Sequence, residues 1–156
     1  MDWDAWLFRL NPERFDIAGL FSDGVNALTS LSLGTNWLNV SDRHPFALYV
    51  SGPEYRGIYL IGHLVDGEYT DTGGPGWIDL ADRKKKRHYI DVAIDKAFLK
   101  TPITLDEMRK AKTLDRVTKS LGQRGGSPMG LTKAEWNLID KWAKKRRGSR
   151  KLPKSS

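Results

Sequence analysis

The chain has 156 residues, 39% of them hydrophobic, and a formal net charge of +7, which suits one compact domain with a core of its own. The absence of cysteine excludes a disulfide framework, a Cys-based zinc site and a thiol nucleophile, and His44, His63 and His88 are too scattered to form a metal set. No apolar run approaches the ~20 residues of a membrane helix, and the opening "MDWDAWLF" is acidic ahead of its apolar run, unlike a secretory signal. The expected compartment is therefore the cytoplasm.

In chain order, "AWLFRL" (Ala5–Leu10) reads as a strand. "NPERFDIAGLF" follows, with Asn11 placed to cap and Pro12 to open a helix over Pro12–Leu20. Residues 22–34 carry no clear periodicity. "TNWLNV" (Thr35–Val40) alternates like a half-buried strand. Phe46–Val50 and Ile58–Val65 read as two strands of a hairpin joined by a Gly/Pro loop. "DGEYTDTGGPGW" reads as a Gly-rich loop ending at Trp77, and "YIDVAIDKAF" as a further strand. "TLDE" (Thr104–Glu107) and "TKAE" (Thr132–Glu135) are capping boxes. The second opens an amphipathic helix, Lys133–Trp142, with Trp136, Ile139 and Trp142 or Ala143 inward. The pattern predicts an α+β domain over residues 1–143, with five or six strands curved into a small barrel and helices at its edges. Residues 144–156 read as a basic disordered tail.

Charge is divided unevenly. Residues 1–82 hold 4 Lys/Arg against 12 Asp/Glu, a net of −8, whereas residues 83–156 hold 22 against 7, a net of +15. That asymmetry points to a polyanionic partner. Its densest parts are Arg83, Lys84, Lys85, Lys86 and Arg87, and the tail with Lys144, Lys145, Arg146 and Arg147; these are the candidate contacts to a nucleic-acid backbone. No catalytic spacing stands out. "LGQRGGSPMG" lacks the Gly-Lys-Ser/Thr ending of a phosphate loop, and Asp91 and Asp95 read as solvated strand charges. The expectation is a binding protein, not an enzyme, with no cofactor. Trp37 and Trp77 lie on separate segments and could wall a slot for a planar base, Trp77 after a loop whose glycines allow close backbone approach. From the residues alone, Trp37 serves equally well as core. Trp3, Trp6, Trp136 and Trp142 fall on periodic elements and read as packing.

The segments "WLFRLNPERFDI", "NWLNV", "ALYVSGPEYRGIYLIGHLV", "ITLDEMRKA" and "GGSPMGLTKAEWNLI", in that order, resemble the EVE domain, a PUA-like family related to YTH domains. The resemblance runs from about Trp6 to Trp142. It implies a small β-barrel flanked by helices and a pocket for a modified base: N6-methyladenine in RNA for YTH members, modified cytosine in DNA for EVE members. Carried over, Trp37 is the pocket-wall tryptophan, and Asn36, Leu38, Asn39 and Val40 form the segment that meets the base edge. Trp77 is the second wall, Ser51-Gly52 the polar turn after the next strand, and Gly126-Ser127-Pro128 the loop bordering the pocket. "SDRHP" replaces the Gly-Asp turn the family often has, and the basic run and tail lie outside the family pattern. The reading that follows is a non-catalytic reader of a modified base, DNA ahead of RNA, with a modification-dependent restriction nuclease as an implied partner. The alternatives are a PUA-like RNA binder without a modified-base role, and an adaptor for a protein or small molecule. In a eukaryotic host "RKKKR" would also serve as a nuclear import signal.

Overall fold

The computed structural model describes residues 3–14, 16–18, 30–33, 43–52, 56–72, 78, 81, 84, 86–123 and 128–148. Among the described residues seven strands form one mixed sheet: β1 (Ala5–Leu10), β2 (Ser30–Leu33), β3 (Pro45–Val50), β4 (Gly57–Thr72), β5 (Lys86–Ala97), β6 (Ile103–Thr104) and β7 (Met129–Leu131). Their spatial order is β2-β5-β4-β3-β1-β7, with β6 on the start of β4. Among the described residues three complete helices accompany them: α1 (Leu105–Arg109), α2 (Asp115–Leu121, after a 3-10 turn at Lys112–Leu114) and α3 (Lys133–Lys145). This is an α+β fold.

Alternation along the strands builds two cores. In β1, Trp6, Phe8 and Leu10 join Phe46, Leu48 and Val50 of β3 on one face, while Ala5 and Leu7 join Ala47 and Tyr49 on the other. The second face is covered by Met108, Val117, Ile139 and Ala143 of the three helices. Both faces of β1 and β3 are therefore dry, which explains their nearly unbroken apolar sequences. Burying a side chain such as Phe46, 0% exposed, contributes about 1.5–3 kcal/mol.

The β3–β4 hairpin forms as expected, but β4 runs on through Asp66–Thr72, which the sequence reading gave to a loop. The pairing explains the difference. Val65 faces Asp91 and Tyr69 faces Tyr89, so a bulge at 66–68 absorbs the "DGE" break before the ladder resumes. In that resumed ladder Thr72 faces Lys86 and Asp71 faces Arg87, so the end of the basic run is strand rather than loop. Strand β2 was not expected; four residues, "SLSL", are too short to read alone. The expected strand Thr35–Val40 lies outside the described residues.

The expected helix at Pro12–Leu20 begins differently. The Asn11 side chain accepts from the Glu13 amide (2.9 Å) and the Asn11 carbonyl from the Arg14 amide (3.0 Å), so Pro12–Arg14 close a turn. Helical residues follow at Ile17 and Ala18; residues 19–29 are not described. Both capping boxes form as read, Thr104 with Glu107 and Thr132 with Glu135. Within α3, Ile139 and Ala143 are fully buried, whereas Trp136 and Trp142 pack at the edge of the core. The helix ends at Lys145, past the expected limit of the globular unit at residue 143.

Glu135 is the one buried charged side chain among the described residues. Arg116 Nε donates to its Oε2 (3.1 Å), the Thr132 amide to its Oε1 (2.8 Å), and Arg116 also donates to the Gly130 carbonyl (2.8 Å). The same guanidinium lies 4.9 Å over the Trp3 ring. One ion pair thus joins α2, β7, α3 and the N-terminal tryptophan. Three hydrogen bonds, two from Arg116 and one from the Thr132 amide, offset the cost of burying its carboxyl group.

Candidate nucleic-acid interface

Four adjacent strands bring one end of the sheet together. The C-termini of β1 and β3 lie side by side because the pair is parallel, Leu10 opposite Val50. The start of β4 joins them, Gly57 opposite Val50, and β7 enters beside β1 with Met129 opposite Leu7. Ser51, Gly52 and Pro128, three residues of the expected base pocket, sit at this corner. The Ser51 amide and hydroxyl both donate to the Leu10 carbonyl (2.9 and 3.2 Å), so the hydroxyl serves the backbone. Gly52 has φ +94°, and an ideal Cβ there would lie 2.8 Å from Cγ of Pro12. Glycine is needed for both reasons. Pro128 is buried at the entry to β7.

Two further segments reach the same corner. The Ile78 amide donates to the Arg14 carbonyl (3.0 Å), which brings the residue after Trp77 to the turn that follows β1. Ile78 itself is 51% exposed, the one exposed large hydrophobic side chain among the described residues. Arg9 donates to the carbonyls of Ser120 and Gln123 (both 3.1 Å), tying the end of α2 and the approach to Gly126-Ser127-Pro128 onto β1. Asn36, Trp37, Leu38, Asn39, Val40, Trp77, Gly126 and Ser127 lie outside the described residues. Leu33, the last described residue before the Trp37 segment, pairs with His88 at the start of β5.

The sequence reading missed the arginines here. Residues 1–82 contain Arg9, Arg14, Arg43 and Arg56 as their whole cationic complement. Arg9, Arg14 and Arg56 all come from segments of this corner; the Arg56 amide closes the turn onto the Gly52 carbonyl (3.2 Å). Tyr49 feels two of them: burial pushes its phenol up, against the pull of Arg56, Arg9 and, from α1, Arg109. The available signal was that an acidic segment spends its few cations as arginine and never as lysine, the choice suited to planar, bidentate anions.

The basic residues divide into two groups. Lys84 is exposed and follows Ile78 by six residues, so at most about 20 Å of extended chain separates it from the corner. Lys86 and Arg87 open β5, while Arg83 and Lys85 are not described. At the other end of the chain, Lys145 and Arg147 are exposed and Lys144 pairs with Asp140 (2.8 Å). Arg146 is committed to the fold, contrary to its expected role on a phosphate backbone. It bridges both oxygens of Glu107 (2.7 and 2.8 Å) and donates to the carbonyls of Thr101 (2.7 Å) and Trp142 (3.2 Å). Burial works to raise the Glu107 carboxyl, but the bonds from Arg146 and Thr104 and the Arg146 charge outweigh it and hold the carboxyl below the usual carboxylate range.

Asp95 is the extra residue of a bulge in β5, since Ile61 faces Lys96 and Gly62 faces Ile94. It pairs with His63 (2.9 Å), both side chains half-exposed. Among the described residues no group of three or more His, Asp or Glu is placed to hold a metal ion, and no helix is long and apolar enough to cross a membrane.

No family model and no curated protein matches the sequence. Solved structures do match the fold. The DUF55 domain of human thymocyte nuclear protein 1, an EVE-domain protein, superposes with a TM-score of 0.62 at 19% identity, covering 91% of this chain and 99% of that one. The human THYN1 protein in complex with 5-methylcytosine-containing DNA gives 0.59 at 18% identity, covering 92% and 99%. A protein of Pseudomonas syringae gives 0.62 at 20% identity, covering 89% and 99%. The resemblance read from the ordered segments is thus matched by the fold, over nearly the whole of each chain.

Proposed function

We propose that this chain is an EVE-type, non-catalytic module that binds nucleic acid and reads a modified base, with 5-methylcytosine in DNA as the leading ligand. The carrying observation is the corner at the ends of β1 and β3. There the Ser51-Gly52 turn, Ile78 next to Trp77 and Pro128 next to Gly126-Ser127 meet three segments that carry arginine. The shared fold supports the reading, because a protein of that fold is seen with 5-methylcytosine-containing DNA. A methylated base in a duplex must leave its stack, at a cost of a few kcal/mol, and is then held by flat apolar walls and polar groups on its pairing edge. Cationic side chains on the backbone offset that cost.

The test is a matched set of duplexes with cytosine or 5-methylcytosine at one position, and the corresponding RNAs. Wild-type protein should favour the methylated DNA. Trp37→Ala should remove about 1–3 kcal/mol of that preference, the contribution of stacking on one base, and leave unmodified DNA binding nearly intact. Equal affinity for all duplexes would end the modified-base reading; tighter binding of the RNA set would move the ligand to RNA. A variant that unfolds while its folded fraction binds normally would make Trp37 core.

A further inference from the structure

A row of residues crosses four strands at the end of the helix-covered core. Arg9 of β1 lies opposite Tyr49 of β3, Tyr49 opposite Ile58 of β4, and Ile58 opposite Ile103 of β6. Tyr49, Ile58 and Ile103 belong to that core, and Arg9 shares their face because it alternates with Leu7. Tyr49 is 2% exposed, yet among the described residues its hydroxyl has no hydrogen-bond partner. A buried hydroxyl left in that state is costly. Arginines stand around it: burial pushes the phenol up, and the charges of Arg56, Arg9 and Arg109 pull against that. Backbone contacts fix where they stand. The Arg56 amide closes on the Gly52 carbonyl (3.2 Å), and an ideal Cβ on the next residue, Gly57, would meet the Ile103 carbonyl at 2.7 Å. Arg109 ends α1 directly after Met108, which is fully buried. Arg9 ties α2 alongside through the Ser120 and Gln123 carbonyls. Exposed Arg56 forms no ion pair among the described residues. Arg109 meets Asp106 at 3.8 Å, with both side chains more than half exposed. Such a contact does little to neutralise it. Gathered positive charge around a partnerless hydroxyl is completed by an oxyanion, which takes the guanidinium forks and the phenol O–H as donors.

We propose that Tyr49, Arg56 and Arg109 form a phosphate site at the rim of the helix-covered face, and that a backbone phosphate of the nucleic acid occupies it. The inference rests on the nucleic-acid reading above and adds a grip that belongs to the fold itself, two residues before the Ser51-Gly52 turn, apart from the basic run and the tail. Free phosphate presents the same oxygens, so the experiment separates the two sources.

The full chain and its Arg56→Gln, Arg109→Gln and Tyr49→Phe variants are titrated with one duplex, unmodified or carrying 5-methylcytosine, over a range of salt. Each arginine variant should lower the salt slope by about one, equally for both duplexes, because a phosphate contact carries no base information. Tyr49→Phe keeps the buried ring, so its denaturant midpoint should match wild type. It should nevertheless weaken both duplexes by about tenfold, the loss of one hydrogen bond to a charged group. In a second arm, thermal midpoints are compared in inorganic phosphate and in chloride of equal ionic strength. Duplex binding untouched by the variants, with phosphate protecting wild type and none of the three, would keep the site and make free phosphate its ligand. A Tyr49→Phe protein that binds duplex and responds to phosphate like wild type would overturn the site. So would an arginine variant with unchanged salt slope and unchanged phosphate response. The methylated duplex separates the two proposals. A retained methyl preference with wild-type behaviour in all three variants sinks this inference alone. Lowered slopes with no methyl preference in any protein sink the base-reading proposal alone.

Discussion

A methyl group at position 130 would overlap the ring of Trp3, since an ideal Cβ there lies 2.2 Å from ring atoms Cγ and Cδ2. Backbone on one side and an indole held under Arg116 on the other leave nothing soft to give way. Gly130→Ala should therefore expel Trp3 and cost about 1–3 kcal/mol, as overpacking does. Denaturant midpoints of Gly130→Ala, Trp3→Ala and the double variant check this, because the alanine should be nearly free once the ring is gone. An equal cost in both backgrounds would place the strain elsewhere. Gly52 makes a related point at the candidate interface. Its Gly/Pro setting announces a turn, but nothing near it in sequence announces that Pro12 lies 2.8 Å from its would-be Cβ.

An ion pair with a pH signature ties α1 to the end of α3. Glu107 has its folded-state pKa held below the ordinary value by Arg146 and Thr104. A depressed carboxyl contributes stability that is present above the unfolded pKa and lost as pH falls through the folded one. Because the side chain is 44% exposed, solvent screening keeps the effect small. Thermal midpoints followed downward from neutral pH should fall less steeply for Glu107→Gln than for wild type, and amide exchange at the end of α3 should quicken. Parallel acid limbs for the two proteins would remove the pair from the account. Elements differ in how far they can be read from their own residues. The capping boxes of α1 and α3 are contacts three residues apart, so they were legible. The hairpin signal was legible too, up to Val65. Beyond it β4 exists because residues 86–89 offer a partner, and the bulge at 66–68 that permits this has no local signature. Arg146 looked like one more tail cation because Glu107, its partner, is 39 positions away. At the candidate site the turn residues Ser51-Gly52 and Pro128 were legible as turns. The arginines were not, since only the parallel pairing of β1 and β3 gathers them.

Taken whole, the molecule is organised around β1, whose neighbours are β3 on one side and β7 on the other. A parallel β1–β3 pair requires a long crossover, and residues 11–44 supply it, carrying β2 and the Trp37 segment on the way. The β7 contact is more remote still, Ala5 facing Leu131. A chain truncated after Gln123 would lack β7 and α3, leaving one edge of β1 unpaired and Ile58, Met108 and Val117 without Ile139 and Ala143. Such a chain should bind hydrophobic dyes, self-associate and be cut rapidly by protease, whereas a monomeric, protease-resistant fragment would mean that the first core stands alone. This closure also has a direction in time. A ribosome delivers β1 well before β7, so until β7 emerges a strand that lies inside the finished sheet has an open edge. Whatever shields that edge in the cell, chaperone or speed of elongation, must act until residue 131 has emerged.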